Sequence, residues 1–140
     1  MSDEIHPLVK LLCEDHRYKL EAYQFVRAGL AYAQEVMRLG QEPDADAQMH
    51  RRGRPLRHVS GQDLCRALRE FAHEQFGLLA RHVLANWGIR TTSDIGEIVY
   101  NLIKIGEMTK SPHDRRADFD DVFDFEQALV KDFEITAKTG

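Results

Sequence analysis

Apolar residues of segment 20–39 recur at alternating spacings of three and four, which is the period of an α-helix. One apolar row of this segment contains Tyr23, Val26, Leu30, Ala33 and Met37. A second row beside it contains Phe25, Gly29, Tyr32 and Val36. A helix with two apolar rows has to bury both of them. We therefore predict that this helix lies at the centre of the fold or packs against an oligomer partner.

The same period returns further along the chain, which predicts a mainly α-helical, compact bundle of four to five helices. We expect a short helical turn at 7–13 and helices at 20–39, 60–76, 78–87 and 93–105. Ser60 with Asp63, and Thr91 with Asp94, have the spacing of helix-capping pairs. Gly88 is placed to end the helix at 78–87, followed by Ile89 for the apolar contact that accompanies a glycine cap.

Helical periodicity stops in residues 41–57, which contain two prolines, two aspartates and one glycine. A loop of this length is typical of a functional or disordered segment. We predict a flexible basic loop at 41–57 and a disordered tail at 134–140, within a single domain that spans residues 1–140. The run 50–58 has four arginines and no acid, whereas residues 111–134 have eight acids and three basic residues.

The end of the chain predicts a small β-hairpin, with one strand at 107–110, a turn at 111–114 and a second strand at 119–125. The order of three helices, strand, turn and strand resembles a winged helix-turn-helix. In that family the third helix enters the DNA major groove, and basic residues of the wing contact phosphate. By position, the resemblance implies that the helix at 93–105 reads DNA and that Lys110, Arg115 and Arg116 form the wing.

The charge of this region opposes a DNA interface. The outward residues of the helix include Asp94, Glu97 and Asn101, with Lys104 as the only basic residue. Carboxylates are repelled by phosphate, which supplies most non-specific affinity. A nucleic-acid-binding regulator remains the alternative hypothesis, and it requires the wing residues to share one face with the basic loop. The loop residues concerned are Arg51, Arg52, Arg54 and Arg57.

Several short segments occur in a fixed order along residues 18–128. They include Leu20–Val26, His58–Leu64, Val83–Ile89, Asp94–Ile103 and Asp121–Glu126. This succession resembles an uncharacterised protein family of Planctomycetes and Verrucomicrobia. The resemblance supplies no activity, cofactor or catalytic residue, and it implies that residues 41–57 are a variable insertion.

Reactive side chains do not form a recognisable catalytic or metal-binding motif. His73 and Glu74 begin a metalloprotease pattern, but the required second histidine position is occupied by Gly77. Cys13 and His16 lack a second pair at zinc-finger spacing. The aspartates after residue 113 lack the glycine of a calcium loop. We predict no cofactor, metal or catalytic residue, and a small enzyme using His58, His73 or His82 is the third hypothesis.

Composition favours a soluble, cytoplasmic protein. Residues 1–4 lack the basic start of a signal peptide, and no apolar run reaches the length of a membrane span. Cys13 and Cys65 are then expected to stay reduced. We predict a non-enzymatic protein-interaction or regulatory module that binds a protein partner or self-associates, with no membrane partner. Its interaction face is predicted to contain Tyr23, Phe25, Tyr32 and Val36.

Overall fold

The computed structural model describes residues 6–36 and 59–131. Within them lie five α-helices: α1 (Pro7–Glu14), α2 (Leu20–Glu35), α3 (Gly61–Phe76), α4 (Ala80–Asn86) and α5 (Thr92–Lys104). Two 3-10 turns, Gly77–Leu79 and Arg116–Phe119, and a π-helical turn, Glu126–Lys131, complete the helical structure of these ranges. The prediction of a mainly α-helical, compact protein is confirmed.

The predicted capping side chains begin α3 and α5. Ser60 Oγ accepts a hydrogen bond from the backbone N–H of Asp63 at 3.1 Å, which starts α3. At α5, Thr91 Oγ1 accepts from the N–H of Asp94, and the Asp94 carboxylate accepts from the N–H of Thr91. These bonds satisfy N–H groups that have no partner inside the helix. The predicted caps at Ser60 and Thr91 are confirmed.

A glycine ends α4 as predicted. Gly88 has a φ of 103°, and the N–H of Ile89 donates to the carbonyl of Leu84 at 2.8 Å. Ile89 is fully buried, so the apolar contact that accompanies a glycine cap is present. The helix predicted at 78–87 begins differently, because a 3-10 turn precedes Ala80.

Helix α2 lies at the centre of the fold. It packs mainly against α3, and α5 packs against both α2 and the 3-10 turn Arg116–Phe119. Most of both apolar rows of α2 is buried within this single chain, including Tyr23, Phe25, Val26, Gly29 and Ala33. The first of the two predicted placements, a central helix, is therefore the one observed.

The β-hairpin predicted at 107–125 is absent from the described residues, and that prediction is wrong. The N–H of Asp118 donates to the carbonyl of Arg115, and the N–H of Asp120 donates to that of Ala117, both at 3.0 Å. These local bonds occupy backbone groups that a strand ladder would need. Phe119 is 4% exposed, and its ring packs edge-on against Tyr100 of α5. Its burial favours a compact turn over an extended wing.

A side chain also caps the C-terminal helical turn. Asp124 Oδ1 accepts a hydrogen bond from the backbone N–H of Gln127 at 3.0 Å. The basic loop at 41–57, the tail at 134–140 and the last residues predicted for the helix at 20–39 lie outside the described residues. In the two described ranges, no helix combines the length and apolar character required to cross a membrane.

Candidate functional site

A cavity of about 350 Å³ lies between α2, α3, α5 and the segment that follows α5. Seven apolar side chains line it: Leu30, Val59, Leu64, Val99, Ile103, Met108 and Phe119. Its size falls in the range of pockets that bind small molecules. We call this space the α5 cavity.

The chain reversal after α5 brings one wall of the cavity into place. Gly106 has a φ of 81°, a left-handed conformation that favours glycine. The N–H groups of Glu107 and Met108 both donate to the carbonyl of Leu102, at 2.8 and 3.2 Å. Met108, which follows this reversal, lines the cavity together with Ile103. The last turn of α5 therefore places one apolar side chain, Leu102, in the core and another, Ile103, in the wall of the cavity.

The charged residues of the α5 cavity have contacts within the protein. Glu107 forms an ion pair with Arg27 at 3.1 Å. The Asp114 and Asp118 carboxylates each accept a backbone N–H bond, at 2.8 and 2.9 Å, and so stabilise the turns that carry them. Lys110 Nζ lies within 3.5 Å of two backbone carbonyl oxygens. These contacts give the carboxylates a structural role in shaping the rim.

Tyr100 lines the α5 cavity and has a buried hydroxyl group. Among the described residues its Oη has no hydrogen-bond partner. Burial raises the pKa of Tyr100, and the negative charges of Asp114 and Asp118 raise it further. The phenol therefore keeps its proton at neutral pH and can donate one hydrogen bond. A buried donor without a partner costs about 1–3 kcal/mol, which a ligand acceptor can recover.

A second polar cluster lies on another face of α5. Arg17 bonds to Asp15 at 2.7 Å and to Glu97 at 2.8 Å. Glu97 also pairs with Arg116, whose Nη1 lies 2.9 Å from Asp120. Hydrogen bonds from Arg17 hold the pKa of Asp15 well below its usual range, and bonds from Arg116 and Arg17 lower that of Glu97. This network connects α5 to the loop before α2 and to the 3-10 turn Arg116–Phe119.

The residues mapped onto the outward face of a DNA-reading helix contact the same chain instead. Tyr18 Oη donates to Asp94 at 2.7 Å, and Asn101 Nδ2 donates to the hydroxyl of Tyr23 at 3.1 Å. Together with the Arg17–Glu97 pair, these bonds cover that face of α5 with residues 15–23. The observed packing therefore gives no support to insertion of α5 into a DNA groove.

Three of the predicted anion-binding residues, Lys110, Arg115 and Arg116, lie in the described part of the chain. Lys110 and Arg115 are exposed, whereas Arg116 is held by Glu97, Asp120 and the backbone carbonyl of Ser93. The four loop arginines Arg51, Arg52, Arg54 and Arg57 lie outside the described ranges. Whether they share a face with Lys110 and Arg115 stays a prediction.

The predicted interaction face is divided between core and surface. Tyr23 is fully buried and Phe25 is 5% exposed, so both belong to the core. Tyr32 is half-buried, and its ring packs against Phe71 at a tilt of 41°, with ring centroids 5.2 Å apart. Only Val36 is strongly exposed, at 63%.

The histidines and cysteines form no site in the described part of the chain. No group of three potential metal ligands occurs within 6–36 and 59–131. Cys13 and Cys65 are free thiols, and burial raises the pKa of Cys65 to about 12. His73 is half-buried, His82 is exposed, and His58 lies outside the described residues.

Comparison with known proteins supplies no relative: no family model, curated protein or solved structure matches the chain. The winged-helix resemblance and the resemblance to the planctomycete and verrucomicrobial family therefore stay predictions. Sequence patterns also missed the α5 cavity, because its walls come from four separate segments. Its only local signal is Tyr100, a polar residue set between the apolar residues Val99 and Ile103.

Proposed function

We propose that this protein is a binding module that holds a small, mainly apolar ligand in the α5 cavity. The observation that carries the proposal is a concave, apolar-walled space of about 350 Å³ whose lining includes a residue with an unsatisfied buried hydroxyl, Tyr100. Binding sites for small molecules commonly combine apolar walls with a few fixed polar groups. The seven apolar side chains of the cavity provide the first element, and Tyr100 provides the second.

The polar groups of the cavity suit binding better than catalysis. A catalytic site needs a nucleophile or acid–base group positioned by a partner and directed at the reacting atom. Here Glu107 is paired with Arg27, and the Asp118 carboxylate caps its own turn. These contacts already engage Glu107 and Asp118. The chemistry that the cavity supports best is therefore recognition of a ligand by shape and by one hydrogen bond.

Filling the α5 cavity is expected to abolish ligand binding. In an Ile103→Trp variant the larger side chain occupies the space while remaining apolar. We expect benzylacetone, a small phenyl ketone, to bind the wild type with a dissociation constant on the order of 1 mM or tighter. Binding should weaken at least about tenfold in the variant, which corresponds to about 1.4 kcal/mol. Isothermal titration calorimetry measures both values.

A tryptophan introduced elsewhere provides the matched control. Val9 on α1 is 48% exposed and does not line the α5 cavity, so Val9→Trp should bind benzylacetone as the wild type does. Equal affinity of the wild type and a folded Ile103→Trp variant would refute binding in this cavity. A wild type that binds none of the three compounds benzylacetone, isopentylbenzene and hydrocinnamate would also refute it.

The exposed leucines of the 3-10 turn after α3 favour self-association as a second candidate function. Leu78 and Leu79 are 54% and 65% exposed, and they follow the half-buried Phe76. The Phe76 ring packs edge-on against Trp87, with centroids 5.6 Å apart. Contiguous exposed apolar surface often marks a protein interface. A second copy of this chain, presenting the same leucines, is the occupant we propose for it.

Sedimentation velocity over a micromolar concentration series tests this second candidate. We expect the wild type to form a concentration-dependent dimer, because burying the leucines removes apolar surface from water. A Leu78→Ser/Leu79→Ser variant should remain monomeric with an unchanged helical spectrum. A wild type that stays monomeric at every concentration up to about 0.5 mM, where only interactions weaker than about 4 kcal/mol escape detection, would contradict self-association.

A further inference from the structure

Tyr100 offers the α5 cavity a means of selecting among apolar ligands. Its Oη is buried, and no described residue accepts a hydrogen bond from it. The Tyr100 ring packs edge-on against Phe119, with centroids 6.5 Å apart. A partnerless donor favours any ligand that brings an acceptor to it.

Charge around the phenol limits the kind of acceptor. Asp114 and Asp118 act on Tyr100 as negative charges, opposed by the positive charge of Arg116. Arg116 is itself paired with Glu97 and Asp120, which offsets its charge. Among the charged residues that line the cavity, Glu107, Asp114 and Asp118 outnumber Lys110, so an anionic ligand would meet a net negative charge that acts more weakly on a neutral carbonyl. The surroundings therefore favour a neutral acceptor over a carboxylate.

We propose that the ligand is a neutral apolar compound carrying a carbonyl-type acceptor, and that Tyr100 donates a hydrogen bond to this group. The inference rests on the proposed ligand-binding function and adds the chemical class of the ligand. The apolar part of the compound occupies the space between Leu30, Leu64 and Met108. The carbonyl oxygen takes the place of the missing hydrogen-bond partner of Tyr100 Oη. Because this atom is closed to solvent in the free protein, binding has to move the side chains that cover it. Tyr100 is thus a specificity-determining residue of the site.

Three probes of similar shape separate the contributions of the neutral carbonyl, the negative charge and the apolar part of the ligand to binding. Benzylacetone carries a neutral carbonyl, hydrocinnamate replaces its methyl ketone by a carboxylate, and isopentylbenzene has only carbon and hydrogen. Each is titrated into the wild type and into Tyr100→Phe, which removes the hydroxyl and keeps the ring. Because the hydroxyl is unsatisfied in the free protein, Tyr100→Phe should be as stable as the wild type or more stable. Thermal unfolding without ligand checks that point.

We expect Tyr100→Phe to weaken benzylacetone binding about fivefold to tenfold, as loss of one hydrogen bond implies. Isopentylbenzene should bind both proteins equally or prefer the variant. Hydrocinnamate should bind the wild type at least about tenfold more weakly than benzylacetone, since charge burial opposes it. Equal losses for ketone and hydrocarbon, or tighter binding of hydrocinnamate, would overturn the inference while leaving a ligand-binding cavity. If none of the three probes binds the wild type, the proposal that the α5 cavity binds a ligand is itself refuted.

Discussion

Gly88→Ala is expected to lower the free energy of unfolding by at least about 3 kcal/mol. Gly88 has a φ of 103°, where an L side chain is strained. An added Cβ would also lie 2.2 Å from the carbonyl oxygen of Arg17, a backbone atom that cannot rotate away. The N–H of Lys19 donates to the carbonyl of Trp87 at 3.1 Å, so displacing this loop would break a further contact. Urea denaturation followed by circular dichroism measures the change.

Gly106→Ala separates the backbone strain from the steric clash. Gly106 has a φ of 81°, but no atom lies within 4 Å of an added Cβ. Its substitution should cost only about 1–2 kcal/mol. If the Gly88 and Gly106 variants lose equal stability, the close approach of the Arg17 carbonyl contributes nothing and the packing account of Gly88 is wrong.

Gly96→Ala is expected to destabilise the protein by about 2 kcal/mol and to deform the α5 cavity. An added Cβ would lie 2.7 Å from Cβ of Phe119 and 2.7 Å from Nη1 of Arg116. Phe119 would have to move, because the offending atom is close to its backbone. Since Phe119 lines the α5 cavity, its displacement should weaken benzylacetone binding as well. Denaturant unfolding and calorimetry test the two effects on the same sample.

Helix propensity alone makes the opposite prediction for this substitution. Gly96 lies inside α5, and alanine is favoured over glycine in a helix interior by about 1 kcal/mol. An increase in stability, with unchanged ligand affinity, would show that the 3-10 turn Arg116–Phe119 does not pack closely on α5. A decrease in stability is expected only if Phe119 packs closely against Gly96.

Local signals in the sequence predicted those parts of the fold that depend on neighbouring residues. The caps at Ser60 and Thr91 and the glycine end of α4 depend on residues at most five positions apart. The periodicity of segment 20–39 also predicted the buried face of α2. It could not decide what covers that face, because the answer lies in α3 and α5, far away in sequence.

The segment after α5 shows where local reasoning fails. Residues 119–125 alternate weakly, which favours a strand, yet Phe119 is buried in a 3-10 turn. The determining factor is the space left by Gly96, together with the pairing of Arg116 with Glu97. Both are contacts between distant residues. The α5 cavity depends on the same contacts, which is why no motif indicated it.

The location of bound benzylacetone tests the central claim most directly. We would record ¹H–¹³C methyl spectra of the wild type during a titration with this ketone. The proposed function predicts progressive shifts at the methyl groups of Leu30, Leu64, Val99, Ile103 and Met108, with Val9, Leu78 and Leu79 unaffected. Shifts confined to Leu78 and Leu79, or no shift at any methyl group, would contradict a ligand-binding role for the α5 cavity.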